Sequence, residues 1–250
     1  MKKLFLVAGQ SNACGRGLLS EAPAYPNGSH MWAYLNNGTW VQNPSDPLDA
    51  TTGEVYTALS DAPPAGTGVG PSLSFLNSFY DLDPSEDVGV VLCAKGGTSL
   101  ANWQRNWRSD SLYGATIRRV RDALAADPDN YLAGMVWYQG EKSAEDANAA
   151  EGSNWGPIAS DLLAAFRQDL WAPTSLPIVV VKLGPKPTGI QNLGYWNFVT
   201  AAQQAFTGMP DVAVASANDL TWKTGDQLHL TTASQVTLGG RIATAMAGLM

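Results

Sequence analysis

The chain has 250 residues, 45% of them hydrophobic and 15% charged, enough to close one large domain around a full core. A net charge of −7, with no run of Lys or Arg longer than two residues, argues against nucleic acid or an anionic membrane as a partner. No stretch approaches the ~20 apolar residues of a membrane span. The two cysteines, Cys14 and Cys93, form neither a disulfide framework nor a metal-ligand spacing, so buried free thiols and no metal or other cofactor are expected.

Met1-Lys2-Lys3 followed by Leu4-Phe5-Leu6-Val7 imitates the start of a secretory signal. Its apolar region is about five residues, short of the roughly 7–15 needed, so the segment reads as a strand. With no export signal in the chain, a cytoplasmic placement is the default expectation. The strand breaks at Gly9 and is followed by Gln10, Ser11 and Asn12. Ser11 then stands at the C-terminal end of a strand, where parallel α/β sheets bind ligands. A serine there is either a turn residue or a nucleophile.

A polar region rich in Gly, Pro, Asn and Ser follows, from about 15 to 70, and reads as a long loop insertion. Within it, His30 to Leu35 and Thr39 to Gln42 flank Asn36-Asn37-Gly38, a hairpin signal. Pro71 suits a first helical position, and Leu73, Leu76 and Tyr80 follow at helical spacing. Val88 to Ala94 reads as a buried strand ending in Lys95-Gly96-Gly97-Thr98. Tyr113, Ile117, Val120 and Leu124 mark a second helix, and Leu132 to Tyr138 a third strand ending in Gln139-Gly140-Glu141.

Pro157 to Leu170 marks a third helix, Ile178 to Val181 a fourth strand, Phe198 to Phe206 a fourth helix and Val212 to Ala215 a fifth strand. A last helix begins at Thr232-Ala233-Ser234-Gln235 in a capping-box pattern. Strands alternating with helices predict one α/β domain over 1–250, a parallel sheet covered on both faces.

With only two histidines, the search for a base is short. His30 lies in the hairpin with no carboxylate near it in sequence. His229 follows Asp226 by three residues in a loop on the edge that carries Ser11. A tight turn can set that carboxylate on one imidazole nitrogen and leave the other to take a proton from Ser11. Gly96-Gly97 lets a backbone amide reach a ligand, and the Gln139 side chain offers a second oxyanion donor. Glu141 either holds Gln139, contacts substrate or is a solvated loop carboxylate.

Gly9-Gln10-Ser11-Asn12, Gly96 to Leu100, Trp137-Tyr138-Gln139-Gly140-Glu141 and Asp226 to His229 occur in that order. Together with Gly70-Pro71 and Trp103, they resemble the blocks of the SGNH hydrolases. The resemblance is to the sialate O-acetylesterase-like branch, which includes the acetyl xylan esterases of carbohydrate esterase family six. It implies a three-layer α/β/α, flavodoxin-like fold with a five-stranded parallel sheet in the order 2-1-3-4-5. It also implies Ser11 as nucleophile, Asp226 and His229 as its relay, and an oxyanion hole of Ser11 N–H, Gly97 N–H and the Gln139 side chain. Gln10, Asn12, Gly96, Trp103 and Glu141 would contact substrate or support the site. The general pattern has asparagine where Gln139 stands, although glutamine suits this branch.

The α/β-hydrolase alternative is excluded, because its G-x-S-x-G elbow sits well inside the chain and position 13 here is alanine. The expected activity is removal of O-acetyl groups from a carbohydrate through an acetyl-serine intermediate. Trp32, Trp40, Trp103, Trp107, Trp155, Trp196 and Trp222 lie in or near loops, and two or three are expected to line a sugar cleft. The rivals are a non-catalytic carbohydrate-binding or adhesin domain on the same scaffold, and a lipid esterase or thioesterase with an apolar acyl groove.

Overall fold

A computed structural model describes residues 1–48, 59, 68–170 and 176–250. Seven strands are present among them: β1 Lys2–Gly9, β2 Met31–Tyr34, β3 Trp40–Gln42, β4 Asp87–Ala94, β5 Tyr131–Tyr138, β6 Ile178–Lys182 and β7 Val212–Ser216. They form one sheet in the order β3-β2-β4-β1-β5-β6-β7. Only the β2–β3 pairing is antiparallel.

The expected count of five strands is therefore corrected to seven. The hairpin read as part of a loop insertion docks its first strand parallel to β4, from Met31 opposite Val88 to Tyr34 opposite Val91. Pairing covers the hydrogen-bonding edge that β4 would otherwise leave open. Residues 49–58 and 60–67 of the 15–70 segment lie outside the described residues.

The helices are α1 Ser11–Cys14, α2 Pro71–Leu82, α3 Leu112–Ala125, α4 Ala149–Ser153, α5 Trp155–Asp169, α6 Trp196–Ala205 and α7 Thr232–Ala247. The short α1 and α4 are too brief to leave a periodic signal. α5 and α6 each begin two residues before the position their apolar spacing suggests.

One face of the sheet carries α2 and α7. There Phe5 packs edge-on against Phe75 and Phe79, with centroids 5.0 and 4.8 Å apart. On the other face Trp137 meets Trp103 at 5.3 Å, and Tyr113 stacks on Phe166 at 4.6 Å. Leu4 to Ala8 of β1 are all buried, as expected for a central strand covered by both layers. Each of the Leu, Phe and Val side chains among them contributes about 1.5–3 kcal/mol by leaving water. This rigid centre fixes where β1 ends, and therefore where Ser11 stands.

The last helix starts differently from the sequence reading. Thr231 is its cap, accepting from the Ser234 N–H at 3.2 Å. Gln235, expected to close a capping box, is wholly buried and turns toward α1 instead. Cys14 and Cys93 are both buried, and no disulfide joins them.

Candidate active site

β1, β4 and β5 end side by side, with Gly9 opposite Ala94 on one flank and Tyr138 on the other. Their three following loops thus share one edge. Gly9 takes φ 145°, and a Cβ there would collide with the Tyr138 carbonyl oxygen. Glycine is required because the chain must turn against its neighbour strand without a side chain. The turn delivers Ser11 to the first position of α1, 5% exposed.

His229 comes from the opposite end of the chain. Trp222 and Leu230 form an antiparallel bridge that ties the base of its loop. Lys223 N–H donates to the His229 carbonyl at 2.8 Å. Inside this loop Asp226 accepts from Leu228 N–H at 3.3 Å, and Gln227 takes φ 56°. That left-handed conformation costs a residue with a side chain roughly 1–2 kcal/mol.

The result sets His229 Nδ1 2.9 and 2.7 Å from the Asp226 carboxylate oxygens, and Nε2 2.9 Å from Ser11 Oγ. Asp226, acceptor-only when ionised, selects the Nδ1–H tautomer and leaves Nε2 as an acceptor for the Ser11 hydroxyl.

The electrostatics follow from this packing. Burial lowers the His229 pKa below its ordinary value, and the positive charges of Arg16 and Lys223 push the same way. The Asp226 hydrogen bond and charge oppose them without prevailing. For Asp226, burial works to raise the pKa, but the His229 hydrogen bond, with Leu228 N–H and Lys223, leaves it below the ordinary value. Neutral imidazole beside ionised carboxylate is the state a general base requires.

Gly97 takes φ 71°, and a Cβ there would meet nothing within 4 Å. The glycine is thus needed for backbone conformation, and the space before it is open. Among the described residues, neither the Gly97 nor the Ser11 N–H has a hydrogen-bond acceptor. Gly96 is half-buried beside it. The loop is braced from behind: Thr98 Oγ1 donates to the Lys95 carbonyl at 2.7 Å and accepts from Trp103 Nε1 at 3.0 Å.

Gln139, expected as an oxyanion donor, has its side-chain amide engaged within the protein. It is wholly buried, and its two Nε2 protons face three acceptors, Gln10 Oε1 at 3.2 Å, Thr98 carbonyl at 3.2 Å and Ser143 Oγ at 2.8 Å. Its Oε1 accepts from Trp155 Nε1 at 3.0 Å, which fixes the amide's orientation because an indole nitrogen only donates. The physical reason is polar satisfaction: at full burial the amide protons go to fixed acceptors. Gln139 therefore braces the Gly97 loop through Thr98.

Gln10 belongs to the same frame, its Oε1 also accepting from Lys142 N–H at 3.2 Å. Asn12 donates to Glu141 Oε1 at 2.7 Å, so Glu141 holds Asn12 rather than Gln139. Burial raises the Glu141 carboxyl to about 7, against hydrogen bonds from Asn12 and the backbone that pull it down.

The tryptophan expectation is largely corrected. Trp103, Trp155 and Trp196 are fully buried anchors. Trp32 and Trp40 gather over the Lys2 ammonium at the start of β1, on the opposite edge of the sheet from Ser11. Trp107 is exposed and stacked by Arg121 at 5.2 Å. Trp222, half-buried, sits in the bridge at the base of the His229 loop. His30 is surface-exposed and paired with Asp87, a carboxylate brought in by the fold, at 3.0 Å. Among the described residues no group of three or more His, Cys, Asp or Glu could hold a metal ion.

Comparison with known proteins places this site in context. A family described as "Carbohydrate esterase, sialic acid-specific acetylesterase" matches residues 1–248. A probable carbohydrate esterase of Arabidopsis thaliana is 30% identical over 261 residues, covering 97% of this chain and 89% of that protein. An Arabidopsis thaliana protein solved at 1.6 Å superposes with a TM-score of 0.79 and 26% identity, over 99% of this chain and 98% of that one. A carbohydrate acetylesterase from Xanthomonas citri shares the fold, with a TM-score of 0.67 and 21% identity over 97% of this chain and 55% of that one.

Proposed function

This chain belongs to the sialic acid-specific acetylesterase family of carbohydrate esterases, and on that premise we propose that it removes O-acetyl groups from an acetylated saccharide by way of an acetyl-Ser11 intermediate. The observation that carries the mechanism is the continuous line from the Asp226 carboxylate through His229 to Ser11 Oγ, each link under 3 Å.

Ser11 Oγ attacks the acetyl carbonyl carbon while His229 Nε2 takes its proton. Asp226 keeps the imidazole in register and stabilises the imidazolium. The Ser11 and Gly97 N–H groups receive the oxyanion, with Gln139 fixing the loop behind it. His229 then protonates the sugar oxygen as it leaves. A water deprotonated by His229 cleaves the acetyl ester and frees acetate, restoring Ser11. No step in this scheme requires a cofactor.

A purely binding role has no use for a buried, ordered proton relay, so an intact relay favours turnover over the adhesin reading. Acetate release from O-acetylated sialic acid, xylan, pectin and bacterial polysaccharide tests the proposal and ranks the substrates. Ser11→Ala and His229→Ala should each abolish most of the activity, and the pair together should be little worse than either alone. Undiminished acetate release by Ser11→Ala would overturn the serine mechanism.

A further inference from the structure

Asn12 is wholly buried one residue after the proposed nucleophile, and its side chain is spent on the loop that carries His229. Its Nδ2 donates to the Leu228 carbonyl at 3.0 Å, and its Oδ1 accepts from the Leu230 N–H at 3.1 Å. These two backbone groups flank His229 on either side. The other Nδ2 proton goes to Glu141, and Gln235 Nε2 donates to Oδ1 at 3.3 Å. Both amide protons and the carbonyl are thus occupied within the protein, leaving none for a substrate.

We infer that Asn12 and Glu141 are positioning residues for His229: Asn12 sets the backbone on both sides of the imidazole, and Glu141 sets Asn12. The assignment rests on the catalytic reading of His229. Ser11 and Asn12 are neighbours in α1, so one helical turn holds the nucleophile while gripping the loop of its base. Only a side chain with a donor and an acceptor in one plane can take a carbonyl at 228 and an N–H at 230 together. Glu141, 1% exposed, supplies Oε1 to Asn12, while its Oε2 has no hydrogen-bond partner among the described residues. Burying a carboxyl with one oxygen unpaired is costly, and its bond to Asn12 gives that cost a function.

The test is a double-mutant cycle over Asn12→Ala and Glu141→Ala, read in kcat and KM for p-nitrophenyl acetate. The His229 Nδ1–H resonance is followed by proton NMR in the same proteins. Loosening the base by about 1 Å should lower kcat by about 10²-fold in Asn12→Ala, with KM little changed. Glu141→Ala should lose about tenfold, and the double variant should match Asn12→Ala, because Glu141 acts through Asn12. The downfield His229 signal should broaden in Asn12→Ala.

Glu141→Gln keeps an oxygen for Asn12 and should stay within about threefold of the parent. This comparison stands even if Asn12→Ala fails to fold. Additive losses, an effect confined to KM, an unchanged His229 signal, or equal activities of Glu141→Gln and Glu141→Ala would each overturn the inference. If His229→Ala stays active, the catalytic reading itself fails. If His229→Ala is inactive while the cycle is additive, only the positioning roles fail.

Discussion

Ser11 and His229 are 218 positions apart in the chain, and their Oγ and Nε2 atoms are 2.9 Å apart. Two unrelated pieces of local structure make that contact. A glycine turn ends β1 under Ser11, and a bridged loop after β7 carries His229. The central strand and the last helix hold both pieces, so the site inherits the rigidity of the core.

The pH dependence of activity follows from the environment of His229. In the proposed mechanism neutral imidazole accepts the Ser11 proton, so kcat/KM should rise with pH. Burial, with Arg16 and Lys223, lowers the pKa despite Asp226, which moves the rise to lower pH. The midpoint should therefore fall below the ordinary histidine value of ~6.5. A kcat/KM–pH profile with its acid limb centred above neutrality would mean that Asp226 outweighs burial.

Gln139→Ala should reveal a brace rather than a direct donor. Removing the amide strands the buried Trp155 Nε1–H and releases Thr98 and Ser143. Leaving such a donor unpaired costs about 1–3 kcal/mol, so urea unfolding should register that loss alongside any fall in kcat. A large kcat defect with undiminished stability would return Gln139 to the oxyanion.

Glu141 should make stability fall as pH rises. Its carboxyl titrates at about 7 in the folded protein, raised chiefly by burial. In the unfolded chain it titrates near ~4.3. Between these values the folded state holds a proton that the unfolded state has lost, so this group's contribution is full below the lower value. It declines toward the upper one by up to about 1.4 kcal/mol per pH unit. Glu141→Gln removes the titration. The unfolding free energy of the parent minus that of the variant should drop across this window. A difference independent of pH would contradict the raised pKa.

The acyl series separates a sugar esterase from a lipase. Ser11 is only 5% exposed, which suits a small acyl group. On p-nitrophenyl esters kcat/KM should fall at least about tenfold from acetyl to butyryl, or about 1.4 kcal/mol of transition-state binding. Octanoate should be nearly inert. A lipid groove would gain up to about 0.8 kcal/mol per buried methylene, so a flat or rising series would favour the lipid reading.

Much of this was legible in the sequence because it is local. Gly9 before Ser11, and Asp226 three residues before His229, are short spacings whose geometry a single turn dictates. The buried strands show as apolar runs, and Pro71 marks its helix start.

What escaped was tertiary. Nothing in residues 31–34 says that they will pair with β4, because an edge is completed by whichever strand reaches it. The partners of Glu141 and Gln235 lie far off in sequence: Asn12 is 129 positions from Glu141 and 223 from Gln235. Tryptophans near loops looked like sugar platforms, yet Trp103 and Trp155 use their indole N–H groups to lock the site from behind. Composition cannot distinguish those two uses of the same ring.

The central claim is that acetyl passes from the substrate to Ser11. Acid quenching during turnover of an O-acetylated saccharide, followed by peptide mass mapping, tests this most directly. The account predicts one acetyl group on the peptide containing Ser11, accumulating under saturating substrate and absent from Ser11→Ala. Acetate release at the parent rate with no acetyl on Ser11, or with acetyl on another residue, would contradict it.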